Sequence, residues 1–248
     1  MHTAARPTGA DMGDAINAFI AALCLLWTLG AYAVAKRVHR RLGRVWLSPA
    51  IVVPAITIVL MLVLHIPYAE YMADTRWVVW LLGPATVAFA VPIYEHRAIV
   101  REHWLALSIG VTVGMTVSVV SAFLLARWFH FDVEVSRSLM ARSISTPFAV
   151  ELVEKTGGSR ELVALFTIIT GLVGMIIGDS VLALVRLRSP LAAGAALGAS
   201  AHGFGTARAR QRGNEEGVIA SLTMVLAGVT MVLAGPALTS FVAAMLGS

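Results

Sequence analysis

Val78-Val79-Trp80-Leu81-Leu82-Gly83-Pro84-Ala85-Thr86-Val87-Ala88-Phe89-Ala90-Val91-Pro92-Ile93-Tyr94 and, further on, Ser143-Ile144-Ser145-Thr146-Pro147-Phe148-Ala149-Val150-Glu151-Leu152-Val153 decide the fold. Each is an apolar run interrupted by proline. Proline removes a backbone donor and clashes with the preceding turn, so each interruption frees amide and carbonyl groups. In hydrocarbon such groups are tolerated only where protein buries them or a wet cavity solvates them. A threonine hydroxyl stands beside each proline. Two interrupted helices of this kind point to a polar site at mid-membrane, the pattern of a transporter's binding site.

The rest of the chain supports a membrane setting. Of 248 residues, 58% are hydrophobic and 13% charged, with a mean hydropathy of +0.81. A soluble domain carries about 25% charge, so this composition reads as an integral membrane protein. The apolar runs reach the roughly 20 residues of a spanning helix and do not alternate with period two, which argues for helices over a barrel. Residues 1–14 read as a disordered extracytoplasmic tail, and 15–248 as a single membrane domain. The first apolar run, 16–35, is too long for a signal-peptide core.

The net charge of +5 resides mainly between apolar segments. A cytoplasmic bias of basic loops accounts for it, and nucleic acid is not an expected partner. The densest basic stretch, Lys36-Arg37-Val38-His39-Arg40-Arg41-Leu42-Gly43-Arg44, follows the first run, which places that stretch inside and the N-terminus outside. Further runs fall at 48–66, 104–126, 162–185 and 218–246, with an aromatic belt at Tyr68, Tyr71, Trp77 and Trp80. Two short segments, 143–156 and 190–205, leave two topologies open. If both cross there are eight spans; if both re-enter there are six. In either case Arg208–Arg212 lies inside and the C-terminus outside. Glycines at helical spacing (Gly110 with Gly114, Gly171 with Gly174 and Gly178, Gly194 with Gly198) read as stripes for close helix packing.

Three places carry candidate chemistry. Ser145 and Thr146 precede Pro147, a favoured first helical position, and their hydroxyls are expected to cap that helix. A helix N-terminus aims amides and about half a positive charge outward, so the motif reads as a carboxylate cradle, with a structural cap as the plainer alternative. Glu151 lies four residues beyond Pro147 on the same face. It is a candidate proton carrier, or an interfacial acid beside Glu154 and Lys155. The cluster Ala201-His202-Gly203-Phe204-Gly205-Thr206-Ala207-Arg208 puts His202 and Thr206 on one face. His202 is a second proton-coupling candidate and Arg208 a carboxylate ligand or a topology charge. Asp179 lies within reach of Arg186 and reads as structural. Cys24 is a lone thiol in an apolar helix and reads as packing. No metal-ligand spacing, phosphate loop or nucleophile–base set is evident, so neither a metal, a cofactor nor an enzyme is expected.

The same residues resemble the LrgB/CidB family, which includes bacterial antiholin-like proteins and the plastid glycolate/glycerate translocator. The resemblance rests on Leu82-Gly83-Pro84-Ala85-Thr86-Val87-Ala88 with Pro92-Ile93-Tyr94, on Ser143–Ala149 with Glu151 and Gly157-Gly158, and on Ala201–Ala209. It covers about residue 15 to the C-terminus. It implies an all-α polytopic bacterial inner-membrane protein of six to eight transmembrane or re-entrant segments, with two proline-broken helices in an inverted-repeat, elevator-type arrangement. It implies transport of a small monocarboxylate such as glycolate, glycerate or pyruvate, possible proton coupling and a link to murein hydrolase and lysis control. The rival reading is a non-transporting holin/antiholin-like regulator. The expected substrate-binding residues are Gly83, Pro84, Ala85, Thr86, Ser145, Thr146, Pro147, His202, Gly205, Thr206 and Arg208. A homodimer and a small LrgA/CidA-type membrane partner are also implied. Two positions depart from the family pattern: Ala141-Arg142 replaces Pro-Lys, and Asp179 stands where the family tends to proline.

Overall fold

The computed structural model describes residues 9–88 and 90–245; for residues 9–15, Val45, Ala85, Thr86, Ala90, Ala243 and Met245 the backbone alone is described. Among the described residues the secondary structure is helical throughout. The chain forms two compact units, Met1–Leu82 and Gly83–Ser248.

The first unit holds α1 (Gly9–Leu42), a 3₁₀ turn (Val45–Leu47), α2 (Pro49–Leu64) and α3 (Tyr68–Trp80). α1 does not stop at residue 35. It carries Lys36–Arg41 as its last turns and ends at Gly43 with φ +64°, so the expected basic loop is helical. Basic side chains at a helix C-terminus complement its partial negative charge, which is why the helix continues through them. Pro49 opens α2 at the first position, and His65 closes it in the left-handed conformation. Trp27 Nε1 on α1 donates to Thr57 Oγ1 on α2 at 3.1 Å, and the Thr28 and Tyr71 hydroxyls share a bond of 3.0 Å to α3. Cys24 is buried on α1, as a packing residue would be.

In the second unit, α4 (Leu82–Ala88), α5 (Ala90–Glu95) and α6 (Arg97–Glu102) are short pieces leading into α7 (Trp104–Trp128). After α8 (Val133–Met140) come α9 (Thr146–Thr156), α10 (Arg160–Leu184), α11 (Pro190–Arg212) and α12 (Asn214–Met245). Asp132 Oδ1 caps α8 by accepting from the Val135 amide at 2.8 Å. α7 buries Val111, Met115, Val119, Ala122, Phe123 and Ala126, a stripe at helical spacing. That stripe packs with Phe148, Ala149, Leu152 and Val153 of α9 and with Met224, Val225 and Met231 of α12 in one core.

Among the described residues four helices are long and apolar enough to cross a membrane: Ile16–Leu42, Trp104–Trp128, Arg160–Leu184 and Asn214–Val242. α9 has 11 residues, about 16 Å of helix, against a hydrocarbon core of about 30 Å. The helical part of residues 143–156 is therefore shorter than a full span. α11 has 23 residues but is not one continuous helix: His202 has φ 38° and ψ −122°, and the chain kinks there.

The glycine stripes divide into two kinds. A Cβ on Gly198 would lie 2.2 Å from the Ala220 carbonyl oxygen, and one on Gly174 would lie 2.5 Å from Ala201 Cβ. These glycines bring α11 against α12 and against α10. At Gly110 and Gly114 an added Cβ meets nothing within 4 Å. The packing reading therefore holds for the later stripes and fails for α7.

Candidate functional site

The break before α9 is built as the sequence suggests in backbone and otherwise in side chain. Ser145 is buried and occupies the cap position, and Pro147 falls inside the first turn. However, the Ser145 hydroxyl makes no cap hydrogen bond. The Ser145 carbonyl accepts from the Phe148 and Ala149 amides at 2.9 and 3.0 Å. Since Pro147 has no amide hydrogen and the Phe148 amide is engaged, the cradle offers at most the amide of Thr146. A single amide is a weak anion receptor, and the charge comes from elsewhere.

It comes from Arg142, three residues before the cap. Arg142 Nη1 donates to Thr170 Oγ1 on α10 at 3.2 Å, and among the described residues it forms no ion pair. Beside it, Ser143 hydrogen-bonds Ser118 of α7. A partly buried arginine without a carboxylate partner, packed on an apolar helix, is a candidate receptor for an anion. Sequence reading noted Arg142 as a departure from the family pattern without assigning it to the site.

The break in α11 reaches the same turn of α10. A Cβ added to Gly171 would lie 2.7 Å from His202 Cε1, so Gly171, the neighbour of Thr170, is what admits the imidazole. Arg142, bonded to Thr170, and His202, packed on Gly171, thus meet adjacent positions of α10. His202 is 2% exposed and Thr167, one turn before Gly171, is 1% exposed. His202 Nε2 and Thr167 Oγ1 are buried with no hydrogen-bond partner among the described residues. A buried polar atom left unpaired costs about 1–3 kcal/mol, and native structures hold few of them. Both atoms lie near Gly171, on which His202 packs, and Arg142 bonds its neighbour Thr170. His202 also holds a backbone conformation that non-glycine residues rarely adopt, a strain of the kind stored at functional sites.

The remaining candidates fall into two groups. Thr206 and Gly205 support the break. Thr206 Oγ1 donates to the His202 carbonyl at 2.9 Å, and Gly205 lies against the Leu197 carbonyl, where a Cβ would come within 2.0 Å. Others lie apart from Arg142. Arg208 turns to Asp179: its Nε donates to Asp179 Oδ2 at 2.7 Å, its Nη2 bonds the same oxygen, and its Nη1 bonds Gln211 at 2.8 Å. Arg212 Nη1 reaches Asp179 Oδ1 at 2.9 Å and its Nε reaches Glu216 at 2.6 Å. Asp179 is therefore paired from α11 rather than by Arg186. Glu151 is exposed and paired with Lys155 at 3.1 Å. Gly83 and Pro84 are exposed on α4, which packs closely against none of α9, α10 and α11. The side chains of Ala85 and Thr86 lie outside the described residues.

A cavity of about 760 Å³ opens beside Arg142, Ser143 and Ser118 between α7 and α11. Among the described residues no group of three His, Cys, Asp or Glu side chains is placed to hold a metal. Hydroxyls, an arginine and an unpaired imidazole suit a small oxygen-bearing anion.

Fold and site together define a polytopic helical membrane protein with a polar site beside two chain breaks. The chain belongs to the LrgB-like family, whose model matches residues 28–241. It is 36% identical over 224 residues to YwbG of Bacillus subtilis, across 90% of this chain and all of that protein. It is 30% identical over 227 residues to the holin-like protein CidB of Staphylococcus aureus, across 92% of this chain and 98% of that one. No solved structure matches.

Proposed function

We propose that this chain is a secondary transporter of small monocarboxylates of the glycolate, glycerate and pyruvate class. The observation that carries the reading is the unpaired His202 Nε2 beside an arginine that has no carboxylate. Arg142 and the Ser143 and Ser145 hydroxyls receive the carboxylate, and Thr146 contributes its amide. A substrate hydroxyl or oxo group completes the hydrogen bonding of His202 and Thr167. Buried and without a hydrogen-bond partner among the described residues, His202, rather than the exposed, Lys155-paired Glu151, is the group that would carry a coupled proton. The two breaks would work as the gates of an elevator-type carrier, operating as a homodimer in a bacterial inner membrane. Neither a metal nor a cofactor takes part, and no catalytic step is needed.

The test is uptake of radiolabelled glycolate and pyruvate into proteoliposomes holding this chain alone, with and without an imposed pH gradient. Saturable uptake, stimulated by the gradient and lost in Arg142→Gln and His202→Ala, is the expected result. Normal uptake in both variants would sink the assignment.

The name of the holin-like relative favours a second reading, in which the chain regulates murein hydrolase activity without transport, together with a small LrgA/CidA-type partner. A folded protein that moves no carboxylate, alone or with such a partner, would favour it. Carboxylate flux and lysis control are compatible if flux alters the envelope indirectly.

A further inference from the structure

The cavity beside Arg142 is far larger than a two- or three-carbon acid requires. At about 760 Å³ it equals roughly 25 molecules of liquid water. Its long axis follows α7: Ala106 and Ser118, which both line it, stand about 18 Å apart along the helix. Arg142 and Ser143 mark the Ser118 end, because Ser143 is bonded to Ser118. Away from that end the wall is Ala106, Leu107, Gly110, Leu191, Ala192 and Ala195.

The wall also offers few polar groups to a ligand. The Ser200 hydroxyl donates to the Ala196 carbonyl at 2.7 Å, and that of Thr223 donates to the Ile219 carbonyl at 2.9 Å. Ser189 caps α11, and Ser118 donates to Ser143. Arg142 and the Ser143 hydroxyl are left to face an anion at one end of an apolar slot. Gly110 and Gly114 widen the slot, since a Cβ on either would stand in open space. Gly171, Gly174, Gly178, Gly194 and Gly198 admit a neighbouring helix; Gly110 and Gly114 meet no protein atom within 4 Å.

We propose that this slot binds a single-chain organic anion with an apolar tail, an alkyl monocarboxylate of medium length, with its head on Arg142. The proposal rests on the same Arg142 site as the transport reading and widens the substrate class beyond short hydroxy- and oxoacids. The unpaired arginine requires a negative head, and the length and chemistry of the wall require a hydrocarbon tail.

The experiment uses the full chain in phosphatidylcholine nanodiscs, titrated calorimetrically with ethane-, butane-, hexane- and octanesulfonate against empty nanodiscs. Sulfonates stay charged and carry no protons across the bilayer. Affinity is expected to rise about two- to fourfold per added methylene, as for burial of a CH₂ group. Arg142→Gln abolishes binding of every probe. Gly110→Leu and Gly114→Leu, whose new side chains enter the open slot, lower the octane-to-ethane affinity ratio by about tenfold or more.

Equal affinities along the series would overturn the inference, as would a chain-length gain that survives Arg142→Gln, the mark of partition into lipid. So would dimers that dissociate in Gly114→Leu and bind no alkylsulfonate, because a second copy would then fill the slot. If neither leucine variant elutes as a folded protein, the wild-type series and Arg142→Gln decide the matter. Glycolate uptake without chain-length dependence leaves the transport reading standing and removes this one; alkylsulfonate binding without uptake does the reverse.

Discussion

Asp179→Asn gives the sharpest test of how α10 is tied to α11. The carboxylate accepts from Arg208 through Nε and Nη2 and from Arg212 through Nη1, and the three side chains are 27–31% exposed. Removing one partner of a fully buried pair costs about 3–5 kcal/mol, whereas an exposed pair contributes about 0.2–1 kcal/mol. Side chains about two-thirds covered fall between these limits, at roughly 1.5–3 kcal/mol for the loss of the shared carboxylate. For a chain of this size each kcal/mol moves the melting temperature by about 2–4 °C, so the variant should melt roughly 3–12 °C lower. The order of effects is specific. Asp179→Asn takes the anion from two guanidinium groups, while Arg208→Gln leaves Asp179 with Arg212 and should cost less. Melting curves followed by size-exclusion chromatography, run on both variants and the double variant, yield the coupling. Shifts below about 1 °C, or strictly additive effects, would refute the claim that this carboxylate holds the helices together.

Three further outcomes follow from the geometry. Gly198→Ala drives a Cβ to 2.2 Å from the Ala220 carbonyl and should destabilise by about 1–3 kcal/mol, whereas Gly110→Ala meets open space and should match or exceed wild type in melting temperature; equal melts would contradict the assigned contacts. At the kink, His202→Gly should melt higher than His202→Ala by the equivalent of about 1–3 kcal/mol, because glycine accepts φ 38° and alanine does not, and the reverse order would remove the strain argument. Ser138→Ala deletes the hydroxyl that accepts from the Ser159 amide at 2.8 Å in a fully buried site, and a loss of about 1–3 kcal/mol is expected; an unchanged melt would mean that water replaces the bond.

The long helices were legible because lipid imposes one rule, internal satisfaction of every backbone group, and apolar length reports it directly. The core of each apolar run is helical. Their ends were less legible: Lys36–Arg41 looks like a loop by charge, yet extends α1, since length and charge together do not say where a helix stops. At the site, Ser145-Thr146-Pro147 marked the break before α9 because proline changes backbone chemistry visibly. The break at His202 has no proline, and its flanking glycines signalled only permissiveness. Arg142 was missed as a site residue because a charge next to an apolar run resembles a topology signal. What distinguishes it is the lack of an acidic neighbour, a property of three dimensions. A closer search of α10 would have found Thr167, Thr170 and Gly171 on neighbouring turns of an apolar helix. The reverse error fell on Arg208, whose partner lies 29 positions back on another helix.

The glycine contact between α11 and α12 sets a mechanical limit. With Gly198 against the backbone of Ala220 and Gly194 against that of Glu216, slippage by one residue would thrust Leu197 or Ala199 into a carbonyl. The pair is keyed like a shaft in its slot and turns or translates only as one piece. Distance labels placed one on each helix will therefore stay silent through any working cycle, and a pair that reports motion has to bridge from this block to α7.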